Sequence, residues 1–455
     1  MSRRPLVAII LAVGMLFAAA CGSSGKSSSS SSPTTSGSNG TPTTVSQTLG
    51  QGVTNNTIKI GVSLVDFSCI RQFTDSIREN QDQNYNAYIN NINQHGGIQG
   101  RKIVPVYHTF CPIGNTGALT LCTKFAEDDK VFAVIGNFVD FSGDAQTCLA
   151  KTHKVPLITF QLSYAIMNES PPGLILLPGA APERISKILL QLLDKQGTLK
   201  GKKVAILGET TSQKVVKTAV EPGLKAAGVD LGTTAILNIT GSDTTAAQAQ
   251  LDSFIERWKS EGVNAIWVSG TQVASQQFIE KVRGEMPNVL LMTDIQDTLS
   301  YGQQEQLSHK KPNPYEGILT AVGPTAHEYD QSANWQYCAD IYKQQTGKVA
   351  PNAEAVLKTP DGKNLDTYGS INDACQILSM FQQVGDRIGK YLNVPNWQQT
   401  VDNFGTIVNR GGGQYASLTK GKYDIDDTFR LSEFDSTIPP NGNWKPLTAL
   451  QNITG

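Results

Sequence analysis

A glycine-rich stretch before two basic residues is the first candidate for chemistry in this sequence. Segment 92–107 is INQHGGIQGRKIVPVY, with three glycines within five residues directly before Arg101 and Lys102. Such a loop could hold a phosphate through backbone N–H groups and a lysine. However, the spacing is too short for a P-loop, no Ser or Thr follows Lys102, and a strand follows where a P-loop needs a helix. The pattern instead predicts a helix-to-strand connector, with Gly96 and Gly97 ending the helix and both basic side chains in solvent.

Motifs for catalysis, metal binding or nucleotide binding are missing from the sequence. It contains no G-x-S-x-G, no H-E-x-x-H and no strand followed by G-x-G-x-x-G. The five histidines lack metal-ligand spacing. With 38 Lys and Arg against 39 Asp and Glu, and no long basic stretch after the N-terminus, a nucleic-acid partner is not expected either. The sequence therefore predicts a protein that is not an enzyme and needs no metal or cofactor.

The N-terminus predicts an exported chain. Arg3 and Arg4 precede an apolar run at 6–17, and small residues follow up to Cys21. The run is too short for a membrane span and is typical of a signal peptide. Its AAAC ending resembles the lipobox of bacterial lipoproteins, which predicts a signal peptide at 1–20 and lipidation of Cys21. The alternative is an ordinary signal that ends beside a Cys, and both the general and the twin-arginine routes of export stay open.

The segment after the signal predicts a flexible connection to a membrane. Residues 21–56 are rich in Ser, Thr and Gly and nearly free of apolar side chains, which is typical of a disordered linker. Such a coil has an r.m.s. reach of roughly 30 Å. The folded part is therefore expected at the cell membrane, lipid-anchored on the extracytoplasmic face.

Six further cysteines suggest up to three disulfides in an exported chain. None of them forms a C-x-x-C pair, so zinc or thioredoxin-like redox chemistry has little support. Six cysteines allow 15 connectivities, and their positions in the sequence do not choose among them. The six are Cys69, Cys111, Cys122, Cys148, Cys338 and Cys375.

From residue 57 onward, short apolar runs alternate with amphipathic helices. This alternation predicts an α/β fold with two doubly wound parallel sheets in tandem. Segment 316–322 is typical of a return strand, and 423–436 alternates apolar and polar residues like an antiparallel strand. The first helix has a clear apolar stripe at positions i, i+3, i+4 and i+7, formed by Tyr85, Tyr88, Ile89 and Ile92.

The order of the motifs resembles the leucine/isoleucine/valine-binding proteins. These are the branched-chain amino-acid class of ABC-transporter solute-binding proteins, with the type I periplasmic-binding fold. The resemblance rests on the opening IKIG strand, the helix ending INxxGGIxGRKI, the VIGN strand with its small-residue loop, and VPLITF. It runs from about Ile58 to Phe434.

The resemblance implies two lobes joined by a three-segment hinge, with the ligand in the cleft between them. We expect crossovers near 177–180, 314–318 and 415–425. Lobe I is then 57–178 plus 317–418, and lobe II is 179–316 plus 419–455. The implied function is capture of a small polar solute (an amino acid, an amide or a related compound) by a monomer that delivers it to an ABC permease. The alternative is a ligand-sensing receptor component on the same fold, which signals to a partner protein.

In lobe I the resemblance points to loops after three strands. The family binds the ligand carboxylate at the loop that here contains Asp140, Phe141 and Ser142. A carboxylate at position 140 would repel an anionic ligand and favour an amine or a polyol, or it would only cap its helix. Two other loops contribute expected ligand contacts, namely Phe67, Gln161, Ser163 and Tyr164.

In lobe II the resemblance points to loops after three further strands. Ser212 and Gln213 stand where relatives often carry a Tyr-Gly pair, and Thr271 and Gln272 follow the next strand. The family's amine-binding acid corresponds to Asp294 or Asp297, and the alternative for each is a solvated turn residue. Because of these departures, branched-chain amino-acid specificity is not carried over.

The implied fold also suggests disulfide pairs. Cys69 and Cys111 both follow adjacent strands at the cleft end, so we expect them to pair. Cys122 with Cys148, on consecutive helices, and Cys338 with Cys375 complete the expected set.

Overall fold

The structure is a computed structural model in which Val45–Gly455 is one compact unit, separate from Met1–Thr44. The described residues are 46–72, 74, 76–140, 142–238, 245–270, 275–295, 298–308 and 311–454. Two predicted features, the signal peptide at 1–20 and lipidated Cys21, lie outside them.

The first sheet is parallel and has the strand order β3-β1-β4-β5-β6. Its strands are nearly continuous apolar runs, which suits a sheet covered by helices on both faces. All four residues of β4 are buried, for example. The strands are β1 (Thr57–Val65), β3 (Lys102–Phe110), β4 (Ala133–Gly136), β5 (Leu157–Ile158) and β6 (Ile175–Leu176).

Nine helices among the described residues accompany the first sheet, and together they form the first lobe. The stripe predicted for α2 is confirmed, because its four apolar residues are all buried in the core of this lobe. The helices are α1 (Phe67–Ile70), α2 (Gln81–Gln94), α3 (Thr116–Thr123), α4 (Asp144–Thr147), α5 (Tyr164–Met167), α12 (Ala326–Asp330), α13 (Ala333–Thr346), α14 (Thr367–Ile388) and α15 (Val394–Asp402). Wider π-helical turns extend α3 over Lys124–Asp128 and α4 over Cys148–Thr152.

The second sheet has the order β16-β15-β11-β10-β9-β7-β8, and β17 also pairs with β15. The pairs from β8 to β11 are parallel, whereas β15 is antiparallel to β11, β16 and β17, as predicted for the tail. The strands are β7 (Lys203–Glu209), β8 (Asp230–Leu237), β9 (Ala265–Ser269), β10 (Leu290–Thr293), β11 (Leu319–Val322), β15 (Thr428–Asp435), β16 (Asn443–Pro446) and β17 (Gln451–Asn452).

The second lobe consists of this sheet and its helices. Two apolar clusters form its core: one includes Trp258 and Phe278, and the other includes Leu189 and Trp267. The helices are α6 (Pro182–Lys195), α7 (Gln213–Val215), α8 (Glu221–Ala226), α9 (Thr245–Glu261), α10 (Ser275–Glu285) and α11 (Thr298–Leu307). A 3₁₀ turn, Thr210–Ser212, precedes α7, and a π-helical turn, Val216–Val220, follows it.

Two short ladders lie outside the main sheets. β2 (Ser76–Ile77) pairs with β12 (Asn364–Leu365), and β13 (Gly405–Thr406) pairs with β14 (Ser417–Leu418). The first ladder joins the loop after β1 to the segment between α13 and α14.

The chain passes between the sheets three times, and the second passage differs from the prediction. It crosses at 177–181, at 323–325 and at 419–427. β11 pairs with β10 and β15, so it belongs to the second sheet. The crossover predicted at 314–318 and the lobe boundary at 317 are therefore wrong, because alternation identifies a strand but not the sheet that it joins.

The third passage also lies later than the predicted boundary after residue 418. Tyr423 and Ile425 are still packed in the core of the first lobe, and β15 enters the second sheet at Thr428. The first and third passages meet here, since Ile425 donates its N–H to the carbonyl oxygens of Leu177 and Gly179.

The glycine-rich connector ends α2 as predicted, but one of its basic residues is not in solvent. The N–H of Gly97 donates to Ile92 O at 2.9 Å, and a Cβ at position 97 would meet Arg101 O at 2.0 Å. Lys102 is exposed, whereas the Arg101 side chain is 5% exposed. Its guanidinium donates to Thr54 O and Lys390 O, each at 2.7 Å, so it joins two segments of backbone.

The linker predicted over 21–56 ends earlier in the structure. Gly50 donates its N–H to Leu392 O at 2.8 Å, and Asn396 binds Ser46 through both backbone groups, at 3.0 and 2.8 Å. Asn393 donates to Thr48 O at 2.6 Å. Composition predicted disorder here because these residues are polar, but their backbone is satisfied by the first lobe.

The described part of the chain contains three disulfides, and they are the expected pairs: Cys69–Cys111, Cys122–Cys148 and Cys338–Cys375. Cys122, Cys148 and His153 also lie close enough to share a metal ion, but the two sulfurs are bonded to each other and offer no thiolate. None of the helices in the described ranges combines the length and apolar character needed to cross a bilayer.

Candidate ligand-binding site

The carboxyl ends of the parallel strands in both sheets form the candidate site. Ligands of open α/β sheets bind at this edge, because the loops that follow the strands diverge there. All the residues expected to contact ligand follow such strands. Four of them lie outside the described residues, namely Phe141, Thr271, Gln272 and Asp297.

Asp140 caps the helix that follows β4. Its Oδ1 accepts from the N–H of Ser142 at 3.0 Å and from the Ser142 hydroxyl at 2.7 Å. Its Oδ2 accepts from the N–H of Ala145 at 2.8 Å, and the residue is only 4% exposed. One oxygen is thus occupied by Ser142 and the other by α4, which is the capping role that the sequence left as an alternative. Ser142 remains exposed beside it.

The loop after β5 directs its side chains to the hinge. Gln161 is half-buried with a left-handed φ of 57°. Ser163 caps α5 by accepting from the N–H of Ile166 at 3.3 Å. The hydroxyl of Tyr164 donates to Asp424 Oδ1 at 2.7 Å, and burial beside this carboxylate raises the pKa of the tyrosine far above its usual range.

The loop after β1 is fastened within the first lobe. Phe67 is half-buried and packs against the core of this lobe at the start of α1. The disulfide Cys69–Cys111 ties α1 to the end of β3. Arg71 is paired with Asp361, with Nε at 2.7 Å from Oδ2.

Ser212 is part of the turn that follows β7. Its hydroxyl lies 3.0 Å from Glu209 O and 2.9 Å from Ser269 O, and it accepts from the N–H of Glu209. It is buried, so its hydrogen bonds serve the protein itself. Gln213 is half-buried at the start of α7.

Asp294 lies beneath the surface of the second lobe, at 1% exposure. One carboxylate oxygen accepts from the Ser186 hydroxyl at 2.8 Å and from the indole N–H of Trp267 at 3.0 Å. Burial raises the pKa of this carboxyl to about 6, although both hydrogen bonds act in the opposite direction. Asp294 is therefore not a solvated turn residue.

Glu183 is a site residue that the sequence reasoning missed. It stands at the start of α6, directly after the first passage, and accepts from the N–H groups of Tyr164 at 3.0 Å and Ala165 at 2.9 Å. It thus joins the second lobe to the first, and burial raises the pKa of its carboxyl. The sequence pointed to Glu183 only through its position beside a predicted crossover. Its partners are backbone N–H groups of another loop, and a sequence motif does not reveal such partners.

Arg184 organises a buried network at the hinge. Its guanidinium donates to Asp424 at 2.8 Å and to Asp427 at 3.0 Å, and Lys422 lies 3.0 Å from the same oxygen of Asp427. Burial lowers the pKa of Lys422 and raises the pKa of Asp426 to about 6. These contacts tie α6 to the third passage.

A groove of about 350 Å³ lies between the two lobes. One wall is α11, which begins just after the carboxyl end of β10. The other wall is the segment between α13 and α14, together with the start of α14. We call it the interlobe groove. Its lining includes Leu299, Gln304 and Leu307 from the second lobe and Val356, Leu357, Asp366 and Tyr368 from the first.

Of the ligand contacts expected from the sequence, those within the described residues do not line the interlobe groove. The segment 351–366 has no apolar periodicity, so the sequence predicted no element there. Two features hold it in place: β12 pairs with β2, and Asp330 accepts the N–H of Ala353 at 2.9 Å.

Two α/β lobes, three passages between them and a groove at their facing edges define a bilobal binding protein of the type I periplasmic-binding fold. The family model described as periplasmic binding protein matches residues 57–358. The chain belongs to this family, whose members are extracytoplasmic. No curated protein matches it significantly.

Solved structures share the fold at low identity. A fatty acid ABC transporter substrate-binding protein from Thermomonospora curvata has a TM-score of 0.61 at 15% identity, covering 89% of this chain and 95% of that one. A solute-binding protein of Rhodopseudomonas palustris HaA2 in complex with p-hydroxybenzoic acid has a TM-score of 0.61 at 14%, covering 87% and 97%. A leucine-, isoleucine-, valine-, threonine- and alanine-binding protein from Brucella ovis has 0.60 at 12%, covering 87% and 95%.

Proposed function

We propose that the protein is an extracytoplasmic solute-binding lipoprotein that captures a small polar solute between its lobes and delivers it to an ABC permease. The observation that carries this proposal is the interlobe groove, because both lobes contribute to its walls. A solute that touches both lobes favours the closed arrangement by its differential affinity for it.

The hinge supports the same proposal. The first and third passages meet in one place, where Glu183 and the Arg184 network connect α6 to the first lobe. Hinges of this kind absorb backbone changes at a few residues while the lobes move as rigid bodies. The solved relatives bind a fatty acid, a hydroxybenzoate or amino acids, so family membership leaves the identity of the solute to experiment.

A lipid anchor at Cys21 is the second part of the proposal. It rests on the AAAC ending of the apolar run. In a bacterial host, Cys21→Ser should move the protein from the membrane fraction to the soluble extracytoplasmic fraction. Retention of this variant in the membrane at the level of the parent would contradict the anchor.

A thermal-shift screen of the purified protein tests the binding function. The screen should contain amino acids, amides, polyamines and sugars. A solute at about 100 times its dissociation constant should add about 2.7 kcal/mol to the free energy of unfolding. Absence of a shift with every solute, confirmed by calorimetry, would count against solute capture, and turnover of any solute would point to an enzyme instead.

A further inference from the structure

Two guanidinium groups next to the interlobe groove are paired with carboxylates. Arg78, in the loop after β1, donates to Asp366 at 2.8 Å and also to Asp373. Arg71 of the same loop is paired with Asp361. A guanidinium that faces two carboxylates has little attraction left for an anionic solute.

Backbone donors at the same edge are also occupied by the protein. Asp140 accepts the N–H groups of Ser142 and Ala145, and Glu183 accepts those of Tyr164 and Ala165. These two loops follow neighbouring strands β4 and β5. A solute carboxylate that approached them would meet carboxylates where it needs donors, at a large electrostatic cost.

The charged side chains that line the interlobe groove are also carboxylates. Its charged members are Glu354 and Asp366, of which Asp366 is paired with Arg78, and none of the lining residues in the described ranges is Lys, Arg or His. Leu299, Leu307, Val356 and Leu357 supply apolar surface. Val356 is 49% exposed and the adjacent Leu357 is 37% exposed, and contiguous exposed apolar surface is typical of binding sites.

We propose that the interlobe groove binds the apolar part of a solute that carries no negative charge, namely an amine, an amide or another uncharged compound. The groove volume is at the lower end of the range for small-molecule sites, so the occupant is a small molecule. This inference rests on the proposed function and specifies its substrate class. It separates this chain from the hydroxybenzoate and fatty acid binders that share its fold.

Two matched solute series test the charge preference by calorimetry on the purified protein. The first is benzylamine, benzamide and benzoate, and the second is 3-methylbutylamine, isovaleramide and isovalerate. Within each series, the amine or the amide should bind at least tenfold more tightly than the carboxylate. A carboxylate that binds as tightly as its uncharged or cationic counterpart overturns the inference.

Two pairs of variants locate the site. Gln304→Lys places an ammonium group in the groove and should improve carboxylate binding at least tenfold, whereas Gln306→Lys, on the same helix outside the lining, should not. Val356→Asp should weaken binding of the tightest uncharged solute at least tenfold. Val349→Asp is the matched control, because Val349 is 76% exposed and lies outside the groove.

The outcomes separate the inference from the proposed function. If a solute from the broad screen binds but is an anion, or if an uncharged solute binds Val356→Asp as tightly as the parent, the inference fails and solute capture stands. If no solute binds either the parent or Gln304→Lys, both fail.

Discussion

Buried carboxylates at the hinge are the main feature at the scale of single residues. Asp294 is almost fully buried, and the negative charge of Glu183 adds to the effect of burial in raising its pKa. Nearby, Asp424 and Asp427 are compensated by Arg184. Removing one partner from such a buried pair typically costs about 3–5 kcal/mol, so the network fixes the geometry of α6 against the third passage.

Asp294 predicts a pH-dependent stability. Its pKa of about 6 in the folded protein exceeds the value of about 3.9 in an unfolded chain, so the folded state binds this proton more tightly. Its contribution therefore destabilises the fold progressively as pH rises from about 4 to about 6, by up to about 3 kcal/mol. Asp294→Asn keeps an acceptor for Ser186 and Trp267 and should be more stable than the parent at pH 7 but not at pH 4, in urea unfolding series.

A control at Asp435, a half-buried carboxylate, has the opposite sign. Hydrogen bonds from Thr437 lower the pKa of Asp435, so its charge favours the folded state above its unfolded pKa. Asp435→Asn should be less stable than the parent at pH 7, with the difference vanishing in acid. If the Asp294→Asn and parent curves run parallel with pH, the buried titration is refuted.

At the scale of elements, two disulfides close loops of similar length in different surroundings. Cys69–Cys111 spans 42 residues and is half-buried at the cleft end, whereas Cys338–Cys375 spans 37 residues and joins α13 to α14 in the core. The chain-entropy model gives each about 4 kcal/mol, so loop length does not distinguish them.

Replacing both cysteines of a pair by Ala should therefore show how burial of a disulfide affects the free energy of unfolding. Cys338→Ala with Cys375→Ala should lower the free energy of unfolding by at least about 1 kcal/mol more than Cys69→Ala with Cys111→Ala, because a cavity forms between packed helices. Chemical denaturation of the two double variants gives this comparison. Equal losses would mean that loop closure alone accounts for both disulfides.

The sequence predicted most elements because their patterns are local. The stripe of Tyr85 and Ile92 is buried as expected, and the tail strand is antiparallel. Long-range relations were harder. β11 was found but assigned to the wrong lobe, and Arg101 was placed in solvent because its acceptors, Thr54 O and Lys390 O, are distant backbone groups.

The candidate site was less accessible to sequence reasoning than the fold. Polar residues after strands were expected to face a ligand, but Asp140 and Ser212 satisfy their own turns. The wall around Val356 lacks both periodicity and a motif, so only the tertiary structure brings it to α11.

At the scale of the whole molecule, one exposed ion pair connects the lobes away from the groove. Lys214 of α7 is paired with Glu169, which follows α5, and both side chains are largely exposed. Exposed pairs contribute at most about 1 kcal/mol. This pair should therefore affect the balance between lobe arrangements more than the fold itself.

Charge reversal tests this contact. Glu169→Lys should increase the radius of gyration in small-angle scattering and weaken solute binding by no more than about fivefold, because only one screened contact is lost. Adding Lys214→Glu should restore both quantities. A double variant that behaves like Glu169→Lys alone would show that the pair does not couple the lobes.

The attachment of residues 46–50 to α15 has a consequence for the proposed lipid anchor at Cys21. Asn393 and Asn396 hold this segment at the amino edge of the first sheet, on the side away from the interlobe groove. With this anchor, the linker from the membrane would connect to the first lobe and not to the second. The second lobe is then the part that moves when the groove closes, while the first lobe keeps its position relative to the membrane.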